Sequence, residues 1–130
     1  MVDRAKIIGR LKQLGYVATE ADHEQIEYEL QLVTDYVKNY CNITTIPDIL
    51  DYRIVERVCG AFLFNKKNTG SLRGFDYDTV VKELKEGDTT VKYAVGQGED
   101  TPENRFDTVV KAMERGFDKW ITPYRRLRWD

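Results

Sequence analysis

Val58-Cys59-Gly60-Ala61-Phe62-Leu63-Phe64 is the longest stretch of the chain without a charged or polar side chain. It closes a segment in which Ile49, Leu50, Ile54, Val55, Val58, Cys59, Ala61, Phe62 and Leu63 follow Pro47. A helix that is apolar almost all round is buried on most of its sides. The segment therefore reads as the core helix of a helical domain. Pro47 is pre-set for a first helical position, and Asp48 adds negative charge to the first turn. At the other end Lys66 and Lys67 suit the last carbonyls, and Gly70 stops the helix. The Lys pair followed by glycine lacks the G-x-x-x-x-G-K-[ST] spacing of a phosphate loop.

On the C-terminal side, residues 76 to 86 predict a short amphipathic helix with Val80, Val81 and Leu84 inward. In residues 89 to 96, Val91, Tyr93 and Val95 alternate with Lys92 and Ala94, which reads as a strand. No second clear strand exists to pair with it. A lone strand leaves backbone donors and acceptors unmet, so it folds back as a hairpin within 89–100 or pairs with another chain. Thr101 and Pro102 then open a last helix to about Trp120, with Phe106, Val109, Val110, Met113 and Phe117 on its apolar face.

On the N-terminal side, a helix is expected from about Asp22 to Cys41, capped by Asp22 with Gln25 in the capping-box position. Ile26, Leu30, Val33, Val37 and Tyr40 form its stripe. Glu20, Asp22, Glu24, Glu27 and Glu29 crowd its start and read as a solvated, dipole-matched helix end. Before it, Ile7, Ile8, Leu11 and Leu14 predict a short basic helix between an Asp3 cap and a Gly15 stop, docked weakly at the periphery as part of residues 1–20.

The chain has 130 residues, enough for one domain with a core that needs no disulfide or metal. The formal net charge of −2 argues against a protein whose main task is gripping nucleic-acid phosphates. The opening MVDRAKIIGRLKQLG has no continuous apolar run, so it does not read as a signal peptide. No stretch approaches the roughly 20 apolar residues of a membrane span. Cys41 and Cys59 lie in apolar helical settings without C-x-x-C spacing and read as buried free thiols.

Catalytic chemistry finds little to stand on. His23 is the one histidine, and no cysteine or second histidine sits at ligand spacing from it, so it reads as an exposed surface residue. No nucleophile is tied to it. Nothing marks a pair of carboxylates as buried and perturbed. Gly96-Gln97-Gly98 is no dinucleotide fingerprint, since it links no strand to a helix in a βαβ unit. No catalytic, metal or cofactor site is expected.

The conspicuous element is Tyr124-Arg125-Arg126-Leu127-Arg128-Trp129. Arginine and large aromatics are the usual material of binding hot spots. Three readings stay open: contact with another protein, packing of Tyr124 and Trp129 back onto the core, or nucleic-acid binding by phosphate contact and stacking. Pro123 disfavours helix beyond Thr122, so residues 123–130 are expected to leave the domain as an extended tail.

The order of these segments resembles phage head–tail connector (adaptor) proteins. The resemblance is carried by Ile46-Pro47-Asp48, Phe64-Asn65-Lys66-Lys67-Asn68-Thr69-Gly70, Gly74-Phe75-Asp76, Lys85-Glu86-Gly87-Asp88-Thr89-Thr90-Val91, Pro102-Glu103-Asn104-Arg105-Phe106 and the closing Tyr124–Trp129. It covers most of the chain from about residue 22. It implies a helical fold without enzymatic activity or cofactor. It also implies a ring of identical subunits, dodecameric in that family, below the portal vertex of the virion, extending the DNA channel and docking the next connector or tail protein. DNA would pass through without sequence-specific binding.

The expectation is thus a mainly α, single connector domain over 1–130, with four to five helices, a short strand or hairpin at 89–100 and the extended tail. Partner contacts with the portal or a neighbouring subunit are expected at Tyr124, Arg125, Arg126, Leu127, Arg128 and Trp129, and at Val91, Tyr93 and Val95. The isolated chain is expected as a monomer in the host cytoplasm that forms its ring on the portal. Residues 20 to 60 hold nine acidic and three basic side chains, net −6, whereas 105 to 130 hold four and seven, net +3. Such asymmetry suits complementary contacts. The competing reading is a small helical DNA-binding regulator, against which stand the net charge and the lack of a convincing basic helix face.

Overall fold

The computed structural model describes residues 1–86 and 101–126. The fold is mainly α-helical, with five α-helices and no strand among the described residues: α1 Arg4–Gln13, α2 His23–Cys41, α3 Asp51–Asn68, α4 Tyr77–Glu86 and α5 Pro102–Ile121. Short 3₁₀ turns at Glu20–Asp22, Asp48–Leu50 and Thr122–Tyr124 lead into α2, into α3 and out of α5. The expected strand or hairpin at 89–100, with Val91, Tyr93 and Val95, lies outside the described residues.

α3 is the central helix. It packs against α1, α2 and α5, while α4 packs against α5. The run that opened the sequence reading supplies the centre, with Val58, Cys59, Phe62 and Leu63 fully buried. Phe62 meets the Tyr16 ring edge-on at 5.5 Å. Gly60 faces α5, where an added Cβ would touch Met113 Cε at 3.7 Å. Phe106, Val109 and Ile121 of α5 are fully buried, as is Val80 of α4, and Tyr77 packs on Phe106 at 5.1 Å.

The ends of the helices follow their local chemistry. Asp3 caps α1 by accepting from the Lys6 amide at 3.0 Å. Gly15, at φ 96°, turns the chain out of it. Thr101 caps α5 by accepting from the Asn104 amide at 3.2 Å, with Pro102 in the first turn. Asn42 ends α2 in the left-handed conformation at φ 56°, a position that asparagine tolerates better than most residues. Cys41 and Cys59 are buried free thiols, and burial pushes both pKa values up.

Several expectations need correction. α1 is no peripheral attachment, because Ile7, Leu11 and Leu14 are completely buried and Cys59 Sγ donates to Ile7 O at 3.8 Å. Arg10 fixes it further, reaching Glu56 of α3 at 2.5 Å and Glu83 of α4 at 3.1 Å.

The capping box at the start of α2 uses Thr19 and Asp22, one turn earlier than the Asp22–Gln25 pairing expected. Asp22 is not solvated either: only 3% of it is exposed. Its carboxylate accepts from Tyr16 Oη at 2.7 Å and the Thr19 amide at 3.0 Å, and pairs with Lys66 Nζ at 2.7 Å. Burial opposes its ionisation, but the bonds from Lys66, Thr19 and Tyr16 outweigh that and hold its pKa below the ordinary value. Burial, with the Asp22 bond second, pushes Tyr16 up to about 12.

Glu29 is buried too, accepting from Gln25 at 2.9 Å and Asn65 at 2.6 Å. Lys66 and Lys67 serve neighbouring elements rather than the last carbonyls of α3, since Lys67 pairs with Asp107 of α5 at 2.8 Å. His23 is half-buried rather than exposed.

Candidate functional site

α2 is a 19-residue helix with two apolar stripes. Ile26, Leu30, Val33, Val37 and Cys41 face the core. Tyr28, Leu32 and Tyr36, spaced four residues apart, are 60%, 48% and 44% exposed. A four-residue repeat drifts about 40° per step on a 3.6-residue helix, which turns the second stripe gradually toward α5. Tyr40, the next position, is half-buried and bonds Thr122 Oγ1 at 2.8 Å.

Between α2 and α5 lies an open groove of about 530 Å³. Leu32, Val33 and Tyr36 form one wall, Glu114, Arg115, Phe117 and Asp118 the other, and Arg57 and Ala61 of α3 the floor. Tyr36 closes one end, donating its hydroxyl to Asp118 and stacking on Tyr40 at 5.8 Å. The Asp118 bond is the main reason its pKa rises to about 12, with burial second. Farther along α5, the Arg53 guanidinium lies 3.4 Å above the Trp120 ring. An apolar strip with a charged rim is the makeup of a protein-docking surface. Among the described residues no side chain in the groove has the geometry of a nucleophile beside a base.

The flanks of the groove carry opposite charge. The outer side of α2 exposes Glu24, Glu27 and Asp35, with Lys38 the one basic side chain beside them. The outer side of α5 exposes Lys111, Arg115 and Lys119, again at four-residue spacing, none of them in an ion pair among the described residues. This is a basic helix face, although a modest one, where the sequence reading found none.

The start of the C-terminal segment is a strap against α2 rather than an extended tail leaving the domain. Residues 122–124 form the 3₁₀ turn, and Tyr124 packs half-buried against the core. Arg126 donates its amide to Cys41 O at 2.7 Å, and its carbonyl accepts from Asn42 Nδ2 at 2.9 Å. The Arg125 guanidinium sits 5.1 Å from the Tyr40 ring centre. Of the expected partner-binding residues, Tyr124, Arg125 and Arg126 thus gather at the C-terminal end of α2, and both arginines are exposed. Leu127, Arg128, Trp129, Val91, Tyr93 and Val95 lie outside the described residues.

The sequence reading missed Tyr28, Leu32 and Tyr36. Their i, i+4, i+8 spacing was the available signal, overshadowed by the stronger core stripe on the same helix.

A second hollow of about 540 Å³ lies between the start of α1, α2 and the α2–α3 turn. Several of its charged groups pair with one another, Arg4 with Glu27 at 3.8 Å and the Met1 amine with Asp51 at 2.9 Å. Among the described residues no cluster of His, Cys, Asp and Glu has the makeup of a metal site, and no helix is long and apolar enough to cross a membrane. No protein-family model, curated protein or solved structure matches the chain.

Proposed function

We propose that the chain is a non-enzymatic assembly subunit of the head–tail connector type. In this reading its copies form a ring below the portal vertex of a phage virion, join head to tail and extend the DNA channel. Its partners are the portal protein, the next connector or tail protein, and further copies of itself. The observation that carries the reading is the exposed stripe of Tyr28, Leu32 and Tyr36 beside the α2–α5 groove. Apolar side chains grouped in this way on an otherwise charged helix mark a contact surface more often than chance exposure does. The order of segments that resembles connector proteins gives the contact its setting.

The C-terminal segment remains the proposed portal contact, through Arg125, Arg126, Leu127, Arg128 and Trp129. Planar arginine forks suit carboxylates on the portal. Tyr124 and the Arg126 backbone brace the domain, so a cut at residue 124 would remove a brace together with the contact. Ending the chain at Arg126 keeps the brace. The test mixes that truncated protein, and the full chain, with the portal protein of the same genome. The full chain should bind and form rings visible by electron microscopy, while the truncated protein keeps its helicity and loses binding. Failure of the full chain to bind overturns the connector reading. Equal binding by both overturns the role of the tail.

One observation favours the second reading, a DNA-binding regulator: the Lys111, Arg115 and Lys119 stripe. Duplex binding that weakens steeply with added salt would support it.

A further inference from the structure

We infer that the outer face of α2 is the docking surface for a second copy of this chain, which lays the basic stripe of its α5 across it. The inference rests on the ring reading above and names the two faces that would meet.

The two faces are complementary in net sign, although Lys38 is also exposed on α2 and Glu114 on α5. On α2, Glu24, Glu27 and Asp35 stand beside the exposed Tyr28, Leu32 and Tyr36. Among the described residues Glu27 pairs with Arg4 at 3.8 Å, both side chains staying about half exposed, and Asp35 accepts from Gln31 Nε2 at 2.8 Å on the helix surface. On α5, Lys111, Arg115 and Lys119 have no ion-pair partner among the described residues. The dimensions agree as well. At 1.5 Å per residue the basic stripe spans roughly 12 Å and the acidic row roughly 16 Å.

The chemistry of contact is specific. Lysine and arginine lay their aliphatic stems on apolar surface while their charged heads reach carboxylates. Tyrosine rings also attract cations face-on. The chain already uses this device internally, with Arg53 on Trp120 at 3.4 Å and Arg125 near Tyr40 at 5.1 Å. A duplex is a poorer occupant. It would meet only the α5 stripe, beside the carboxylates of Glu114 and Asp118, and would leave the aromatic row of α2 uncovered. Repeated head to tail, such a contact is heterologous and either closes as a ring or continues as a filament, whereas the same two faces meeting reciprocally would stop at a two-fold dimer.

The experiment is a charge exchange on the full chain, read by sedimentation velocity at high protein concentration and low salt, with helicity checked by circular dichroism. One variant carries Glu24→Lys, Glu27→Lys and Asp35→Lys; the other carries Lys111→Glu, Arg115→Glu and Lys119→Glu. At this concentration and salt the wild type should self-associate, even though the dilute chain is expected as a monomer away from the portal, and each variant alone should do so about tenfold more weakly or worse. An equimolar mixture of the two should recover assembly, because each presents the sign that the other's altered face now needs. A chain with all six exchanges should recover it alone.

A wild type that stays monomeric, or a mixture that fails to recover, overturns the inference. So does an α5 variant whose only loss is salt-sensitive duplex binding. Portal binding measured in parallel separates this from the connector reading. Charge-dependent assembly without portal binding sinks the connector reading alone. Portal-bound rings that form regardless of these charges sink the proposed contact alone.

Discussion

Phe62→Ala tests whether the core has been placed correctly. Phe62 is completely buried in the central helix, and its ring meets Tyr16 edge-on at 5.5 Å. Truncating a buried phenylalanine removes its transfer free energy and leaves a cavity, together about 3–5 kcal/mol. The aromatic contact contributes about 0.5–1.5 kcal/mol of that. A domain of this length shifts its melting temperature by about 3–5 °C per kcal/mol, interpolated between smaller and larger domains. The expected drop is therefore about 10–25 °C. Far-UV circular dichroism during thermal and urea unfolding reads it, with the urea slope unchanged if the native and denatured states keep their compactness. Phe64→Ala, two residues on at a half-buried position, is the matched control and should cost clearly less. A shift of only a degree or two for Phe62→Ala, or an equal cost at Phe64, would refute the placement of α3 at the centre.

Asp22 has its pKa lowered in the fold, so its contribution to stability is present above the ordinary carboxylate value of about 3.9 and is lost as pH falls through the folded value. Asp22→Asn should be less stable than wild type at neutral pH and should lose less on acidification, as measured by urea midpoints from pH 7 to pH 3. Tyr16 and Tyr36 titrate at about 12 in the fold, against about 10 when unfolded. The stability they contribute is complete below about 10 and disappears as pH rises toward 12; Tyr16→Phe should flatten part of that alkaline loss. Gly60→Ala should be tolerated or stabilising by about 0.5–1 kcal/mol, since the added Cβ makes ordinary contact with Met113 and a helical glycine is relieved. A melting temperature lowered by several degrees would show that α3 and α5 approach too closely for a methyl group.

The helices were legible because their signals are local. The apolar run of α3, the Thr101–Pro102 start of α5 and the Asp3 cap of α1 depend on neighbours within a turn or two. What the sequence hid depends on distant partners. Asp22 looks like a solvated cap until Lys66, more than forty positions away, arrives beside it. Glu29 is buried because Asn65 meets it across the α2–α3 interface. The weight of Ile7, Leu11 and Leu14 was underestimated because a short helix carries little periodic signal, and only α3 gives those side chains a place to be buried. The docking groove was the least legible part. It is a gap between α2 and α5, and a gap is set by how helices diverge, which no single segment encodes. The strap formed by Arg126 was hidden similarly, since its partners Cys41 and Asn42 sit at the end of α2, far back in the sequence.

The central place of α3 also sets an order of events during synthesis. Translation completes α3 at residue 68 and α5 only at residue 121. At about 5–20 residues per second, that interval is on the order of 3–10 s. Throughout it, α1 and α2 are available to cover their sides of α3, but the side around Gly60 that awaits Val110 and Met113 has no partner. The nascent chain therefore carries an open apolar strip at its midpoint until the last helix leaves the ribosome. That interval is when a chaperone has a surface to hold, and when neighbouring chains on one message are most prone to stick to each other.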